Sequence, residues 1–194
     1  MAGVRRGVAL YACLVMATCV WPKRAWLSPV KRRAVVAGWV ATSLGETRPA
    51  AAGEGDGKRR NLAASELAKI VKNDLVQRQF LATADFTPDI YDESCTFTDE
   101  IDTYQKDKFI KGTKALFVGS ESQVELLGDV DVLENGKKLQ FRFQETLAFN
   151  FPVVHPKVSL SGTCTLTRGE DGLIVAYKEK WDQSVPEVLA TTKF

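Results

Sequence analysis

The chain has 194 residues, of which 45% are hydrophobic and 26% are charged, and its formal net charge at pH 7 is +2. These values fit one compact domain of about 100–150 residues with an appendage, and they exclude collagen, low-complexity disorder and disulfide-dense miniproteins. Residues 1–52 carry eight basic residues and one acidic residue, which leaves 18 basic and 23 acidic residues in 53–194. The larger part of the chain is therefore acidic and has no electrostatic footprint for nucleic acid.

The first 52 residues have the pattern of a targeting presequence. An uncharged stretch over 7–20 comes directly after Arg5 and Arg6, which is the order of the charged and apolar regions in a signal peptide. With 14 residues, this stretch is shorter than the roughly 20 that a membrane-spanning helix needs. We therefore predict a signal-like segment over 1–20.

A second apolar run over 34–44 follows Lys31-Arg32-Arg33 and leads to Ala50-Ala51-Ala52, the small-residue pattern that a signal peptidase accepts. It predicts a second signal of the twin-arginine or Sec-like kind over 31–52. Two signals in tandem are typical of a presequence that takes a protein into a plastid (chloroplast) and on to the thylakoid lumen. The alternative is that one or both runs stay in the chain as membrane anchors.

The next segment, 53–61, is polar and rich in glycine, so we interpret it as a linker between the presequence and a folded domain over 62–194. Apolar residues then recur near helical spacing and predict an amphipathic helix over about 62–82. A short strand over 94–99 and a second helix over 106–118 are predicted to follow.

Beyond residue 120 the hydrophobic pattern alternates with a period of two, which is typical of half-buried strands. Four such strands are predicted, over 124–132, 141–149, 158–166 and 173–181. The sequence Glu134-Asn135-Gly136 is a strong turn signal that closes the first two strands into a hairpin. Helices followed by long antiparallel strands predict an α+β domain, in which a curved antiparallel sheet packs against N-terminal helices.

Short motifs along this domain resemble those of a known family. They are Ile90-Tyr91, Phe97-Thr98-Asp99, Phe109-Ile110-Lys111-Gly112, His155-Pro156-Lys157-Val158-Ser159-Leu160-Ser161-Gly162, Gly172-Leu173-Ile174-Val175, and Trp181-Asp182-Gln183-Ser184 with Val188-Leu189. Over about 62–194 the chain resembles an uncharacterised family of NTF2-like (SnoaL-like) plastid proteins of photosynthetic eukaryotes. The resemblance implies an NTF2-like cone, in which a sheet curls around a helix-covered cavity, and a plastid location. It implies no established reaction.

The cavity of such a cone is the default place for a ligand. Three acids, Asp99, Glu145 and Glu179, interrupt otherwise apolar strand faces and are predicted to point inward. A carboxyl group in a low-dielectric cavity has a raised pKa and can act as a general acid or base, and we single out Asp99 and Glu145 for that role. The alternative is that the acids lie near strand ends or pair with basic side chains or backbone donors.

Aromatic side chains on the same strands offer stacking surfaces for an aromatic or isoprenoid ligand such as a pigment or quinone, although aromatics on an inner sheet face are also ordinary core residues. No metal site is predicted, since His155 is the only histidine and no C-x-x-C pair occurs, and no cofactor is predicted. Cys95 and Cys164 either form one disulfide or remain two buried thiols. The predicted ligand-binding residues are Phe97, Asp99, Tyr104, Phe143, Glu145, Tyr177, Glu179 and Trp181.

These features leave three functions open. We expect a non-catalytic plastid protein whose cone binds a small apolar ligand or a partner protein. The first alternative is a small enzyme of the isomerase, dehydratase or cyclase type that uses a pocket carboxylate. The second alternative is an assembly factor for a photosynthetic complex in the thylakoid. We also expect a homodimer through the outer face of the sheet, where Ser and Thr recur at every second position over 159–167.

Overall fold

The computed structural model describes residues 56–194, so the two predicted signals, over 1–20 and 31–52, lie outside the described residues. Within this described part, no helix is long and apolar enough to cross a membrane. The helices and strands follow each other as α1 (Ala64–Val76), α2 (Phe80–Thr83), β1 (Tyr91–Thr98), β2 (Thr103–Gln105), α3 (Lys106–Leu116), β3 (Gln123–Leu133), β4 (Lys138–Ala148), β5 (Lys157–Arg168), β6 (Ile174–Trp181) and α4 (Val185–Ala190).

The six strands form one sheet in the order β2-β1-β6-β5-β4-β3. Strands β3 to β6 pair antiparallel with their neighbours in the chain, as predicted, and α1 and α2 share one hydrophobic core with the sheet. The pair between β1 and β6 is parallel, a pairing that the predicted antiparallel strands did not include. Alternation along a strand reveals which face is buried but not which distant strand becomes its partner. The predicted class, an α+β domain with a curved sheet packed against N-terminal helices, is confirmed.

The single helix predicted over 62–82 is instead two helices, because the chain turns sharply at Gln79, where φ is +55°. The side-chain amide of Gln79 donates to the carbonyl oxygen of Val124 at 3.0 Å and accepts from its backbone N–H at 2.6 Å. It thereby occupies the backbone of the edge strand β3 as a neighbouring strand would. These hydrogen bonds are tertiary, so helical periodicity in the sequence gives no sign of the break.

Two short elements were not predicted, β2 and α4. Helix α4 begins with a capping box, in which the Ser184 backbone N–H and hydroxyl both donate to the Glu187 carboxylate, at 2.8 and 2.7 Å. The sequence Ser-Val-Pro-Glu over 184–187 is a recognisable signal for such a helix start, so this element was within reach of sequence reasoning. Strand β2 has only three residues, which is too short for an alternation to be detected.

The alternation predicted for β3 holds at Val124 and Val130, which are buried, and fails at Val132, which is 44% exposed. The pairing with β4 shifts register between Leu127 and Asp131, and Gly128 within this stretch has a φ of +91°. Such a bulge bends a strand and increases its twist. The far end of β3 therefore leaves the core.

The residues just before α1 are fixed to the domain by hydrogen bonds that their own backbone groups donate or accept. The backbone N–H groups of Arg59 and Asn61 donate to the carbonyl oxygens of Asp89 and Asp171, both at 2.9 Å. The Arg168 guanidinium donates to the carbonyl oxygen of Leu62 at 2.7 Å. The last residues of the segment predicted as a linker thus contact the turns that precede β1 and β6.

Strand β5 lies between β4 and β6 and is closely packed at Gly162, which pairs with Phe143 on one side and Trp181 on the other. A Cβ atom at Gly162 would lie 2.6 Å from the carbonyl oxygen of Lys180 and 3.1 Å from Cζ of Phe143. The central strand therefore contributes no side chain to this row of the inner face.

We expect Gly162→Ala to lower the free energy of unfolding by about 1–3 kcal/mol, because the added methyl group would overlap a backbone carbonyl. Gly112→Ala in α3 is the matched control, since a Cβ there meets nothing within 4 Å. Alanine favours a helix over glycine, so the control should be unchanged or up to about 1 kcal/mol more stable. Urea denaturation measures both values. A Gly162→Ala variant as stable as the wild type would contradict this packing.

Candidate functional site

The three predicted acids come from three different parts of the sheet. Glu145 lies in β4 opposite Leu160 of β5, Glu179 lies in β6 opposite Cys164 of β5, and Asp99 directly follows β1. The two glutamates occupy rows of the inner face that are separated by the row of Gly162. That glycine contributes no side chain, and Cζ of Phe143 lies 3.1 Å from where its Cβ atom would be.

Glu145 is buried, with only 4% of the residue exposed, and its Oε2 atom has no hydrogen-bond partner among residues 56–194. Burial raises the pKa of this carboxyl well above its usual value, and the nearby Glu179 and Asp99 raise it further. Glu145 therefore keeps its proton at pH values where an exposed glutamate is charged. A neutral carboxyl group offers one O–H donor in addition to its acceptor oxygens.

Glu179 is partly exposed and, unlike Glu145, is held by two donors. The Tyr177 hydroxyl donates to Oε1, and the Trp181 indole N–H donates to Oε2 at 2.9 Å. Burial raises the pKa of Glu179 to about 7, although both hydrogen bonds lower it by favouring the charged form. At neutral pH this glutamate consequently exchanges a proton readily.

The two glutamates thus have different surroundings on one sheet face. The carboxylate form of Glu179 is stabilised by hydrogen bonds, whereas nothing in the described chain donates to Glu145. When the surroundings of two titratable groups push their pKa values apart, one group is suited to donate a proton and the other to accept one. The expected alternative, pairing with a basic side chain, does not occur at either glutamate, and Arg142 instead binds Asp182 at 2.7 Å.

Asp99 lies in the turn between β1 and β2, where its Oδ1 accepts the backbone N–H groups of Ile101 and Asp102 at 2.7 and 2.8 Å. Burial raises the pKa of Asp99, against the effect of these two hydrogen bonds. Tyr104 on β2 is partly buried, and burial raises the pKa of its hydroxyl to about 12. Asp99 therefore has a defined role in the turn, in addition to its electrostatic effect on both glutamates.

The predicted aromatic residues divide into two groups. Phe97, Phe143 and Tyr177 are buried, and Phe97 stacks on Tyr177 with ring centroids 5.1 Å apart, while Trp181 is partly exposed beside Glu179. Sequence reasoning missed Phe109 of α3, which stacks on Phe97 at 4.3 Å and is itself partly exposed. The sequence does not predict this stacking, because helical spacing alone does not show which sheet residue a helix will contact.

The described residues are arranged for neither thiolate nor metal chemistry. Cys95 and Cys164 are buried free thiols in the structure, and burial raises the pKa of Cys95 to about 12, so neither is arranged as a reactive thiolate. Within the described range, no group of three His, Cys, Asp or Glu side chains is placed to hold a metal ion. The chemistry that the described residues can offer is hydrogen bonding and proton transfer by carboxyl groups inside apolar walls.

No family model matches the chain, and no curated protein matches it in sequence. Solved structures are similar to it. An NTF2-like protein from Anabaena variabilis is 16% identical, with a TM-score of 0.44, over 64% of this chain and 94% of that protein. An LEH-like epoxide hydrolase from M. tuberculosis is 12% identical, with a TM-score of 0.46, over 66% and 92%. The epoxide hydrolase/cyclase-like enzyme SalBIII is 13% identical, with a TM-score of 0.46, over 61% and 93%.

At these identities the likeness concerns the fold and not the activity. Sheet and site together define an α+β domain that carries two glutamates with unlike surroundings on the inner face of its sheet.

The raised pKa of Glu179 predicts a pH-dependent stability. Between pH 4.5 and 8 the folded state binds more protons than the unfolded state, so the free energy of unfolding falls as the pH rises. A pKa of about 7 in place of 4.5 corresponds to a loss of up to roughly 3 kcal/mol across this range.

Glu179→Gln should reduce this pH dependence and leave the part that Glu145 and Asp99 contribute, and urea denaturation at several pH values measures it. Glu125→Gln, at an exposed position of β3, is the matched control and should behave as the wild type. An unchanged slope in Glu179→Gln would show that this carboxyl group does not titrate as described.

Proposed function

We propose that the domain binds a small, largely apolar molecule on the inner face of its sheet, and that a polar group of this molecule contacts Glu145. The observation that carries the proposal is the buried Oε2 atom of Glu145, which has no partner in residues 56–194. A buried polar atom without a partner costs about 1–3 kcal/mol of stability. A ligand that supplies the missing hydrogen bond would remove this cost.

The surroundings of Glu145 support an apolar ligand with a route of entry. Phe143 and Leu147 flank it on β4, and both are buried. Glu179 and Trp181, on the other side of Gly162, keep part of their surface exposed. Several further apolar side chains that pack against the core are also only partly buried: Phe109, Ile110, Leu116, Phe117, Leu126 and Phe151. We place the opening of the site among these side chains.

Native mass spectrometry of the full chain, expressed in a plastid-containing host, tests the proposal. We expect a stoichiometric small molecule, such as a pigment, quinone or lipid, that organic extraction releases and identifies. Glu145→Met should reduce its occupancy at least about tenfold, because methionine offers neither the O–H donor nor the acceptor oxygens of a carboxyl group. Glu125→Met should keep the wild-type occupancy. Equal occupancy in both variants, or a protein that is empty throughout, would contradict the proposal.

A second candidate function is proton transfer, in an enzyme of the isomerase, dehydratase or cyclase type. The specific observation in its favour is the unlike pair of glutamates, one without donors and one held by Tyr177 and Trp181. In such a reaction Glu179 would accept a proton from the substrate while Glu145 gives its proton to a substrate oxygen. Incubating any extracted compound with fresh protein and following its conversion by mass spectrometry tests this candidate, which requires that Glu179→Gln abolishes conversion in a folded protein.

For the cellular setting we propose a plastid and, within it, the thylakoid lumen. The support is the double signal over 1–52 and the family resemblance over 62–194. In that setting, a role as an assembly factor for a photosynthetic complex and a homodimer through the outer sheet face remain proposals. Co-purification with a thylakoid complex would support the first, and the oligomeric state in solution tests the second.

A fusion of residues 1–61 to a fluorescent protein should accumulate inside plastids. Replacing both Arg32 and Arg33 with lysine should stop passage into the lumen but not entry into the plastid, if the second signal is of the twin-arginine kind. Confocal microscopy and fractionation of thylakoids measure the two steps. Fluorescence in the cytosol, or retention in a membrane outside the plastid, would overturn the proposed setting.

A further inference from the structure

We propose that the molecule bound at Glu145 is a hydrophobic amine, whose ammonium group contacts the carboxylates while its apolar body lies against the inner sheet face. This inference rests on the proposed function and names the chemical class of its ligand. It is independent of whether the protein also catalyses a reaction.

The first step is the charge of the site. Glu145 and Glu179 lie two rows apart on the inner sheet face, and Asp99 follows Thr98, which pairs with the residue before Glu179. Burial disfavours the charged form of each of these acids. In residues 56–194 every ion pair of a lysine, arginine or histidine goes to a different acid, so no cation of the described chain balances these three. The site therefore favours a cation and repels an anion.

The second step is the hydrogen-bonding capacity that is left over. Oε2 of Glu145 is buried and has no donor among residues 56–194, whereas both oxygens of Glu179 already accept a hydrogen bond. An ammonium group has three donors and no acceptor, which complements a carboxylate that lacks donors. Its hydrogen bonds are charge-assisted and about twice as strong as neutral ones. A ketone or ether offers only an acceptor, so it could pair only with the protonated form of Glu145 and would release no proton.

The third step is the aromatic wall. Phe143 and Trp181 occupy the row next to Glu145, on the two sides of Gly162, and Tyr177 lies farther along β6. The face of an aromatic ring attracts a cation, most strongly for tryptophan and more so where water is excluded. Phe143 is fully buried, so its surface is dry. The same residues that make the wall apolar thus also favour a positively charged ligand.

Binding of an ammonium ion to this site must release a proton. The carboxyl group of Glu145 gives up its proton, the ammonium takes its place as counter-charge, and the proton leaves to the buffer. The titratable groups that face this event are Asp99 from the turn after β1, Cys164 on β5, and Tyr177 and Glu179 on β6. None of these is basic, so none can supply the counter-charge in place of the ligand.

The test compares probes of equal size and different charge on the full chain: 2-phenylethylamine, 2-phenylethanol and 3-phenylpropanoate, with hexylamine, hexanol and hexanoate as a second series. Isothermal titration calorimetry at pH 7 in buffers of different ionisation enthalpy gives the affinity and the number of protons released. We expect each amine to bind at least about tenfold more tightly than its alcohol, because its hydrogen bonds are charge-assisted. We expect 3-phenylpropanoate and hexanoate not to bind, because the site repels an anion. We also expect release of up to about one proton per amine bound.

Glu145→Gln should remove the preference, so that amine and alcohol bind alike, whereas Glu125→Gln should keep it. The comparison of amine with alcohol on the wild-type chain needs no variant and decides the matter even if Glu145→Gln fails to fold. An alcohol that binds as tightly as its amine would overturn the inference and leave the proposed function standing. Failure of every probe in both series to bind would overturn the proposed function as well.

Discussion

The placing of two glutamates on one apolar sheet face, Glu145 buried and Glu179 partly exposed, is the constraint on which the rest of this structure depends. Carboxyl groups leave water at a high cost in free energy unless they are paired, protonated or hydrogen-bonded. Here Glu179 receives two donors from its own strand, and Glu145 keeps its proton. Between the rows of the two glutamates lies Gly162, where the Lys180 carbonyl oxygen and the Phe143 ring leave no room for a Cβ atom. A buried carboxyl group without a partner costs stability, and such departures from ordinary core packing are expected at functional sites.

This pair of glutamates explains why the candidate functions share one set of residues. Binding of an apolar molecule, recognition of an ammonium group and transfer of a proton all depend on the same two carboxyl groups. They differ in what happens to the proton of Glu145, which stays in place with a neutral ligand, leaves to the buffer with an amine, and passes to the substrate in a reaction. A measurement of where the proton of Glu145 goes therefore distinguishes the functions better than the fold does, since the same fold serves many functions.

Local signals in the sequence were sufficient for much of the fold and for part of the site. The two-residue period of β4 places Glu145 on the same face as Phe143 and Leu147, and the structure finds all three buried. The turn at Asn135-Gly136 was predicted from residue types that accept positive φ angles, and both residues have them, at +54° and +86°. Such features depend on a residue and its immediate neighbours in the chain, so they can be read without knowing the fold.

What only the tertiary structure decided involves contacts between segments that are far apart in sequence. The break of the first helix at Gln79 depends on Val124 in β3, and the position of Asp99 near the glutamates depends on parallel pairing of β1 with β6. The different states of Glu145 and Glu179 also follow from packing, because burial and the absence of a donor cannot be inferred from strand alternation. The sequence by itself determined which side chains share a face, whereas the assembled sheet decided which of them meet and which buried atom is left without a partner.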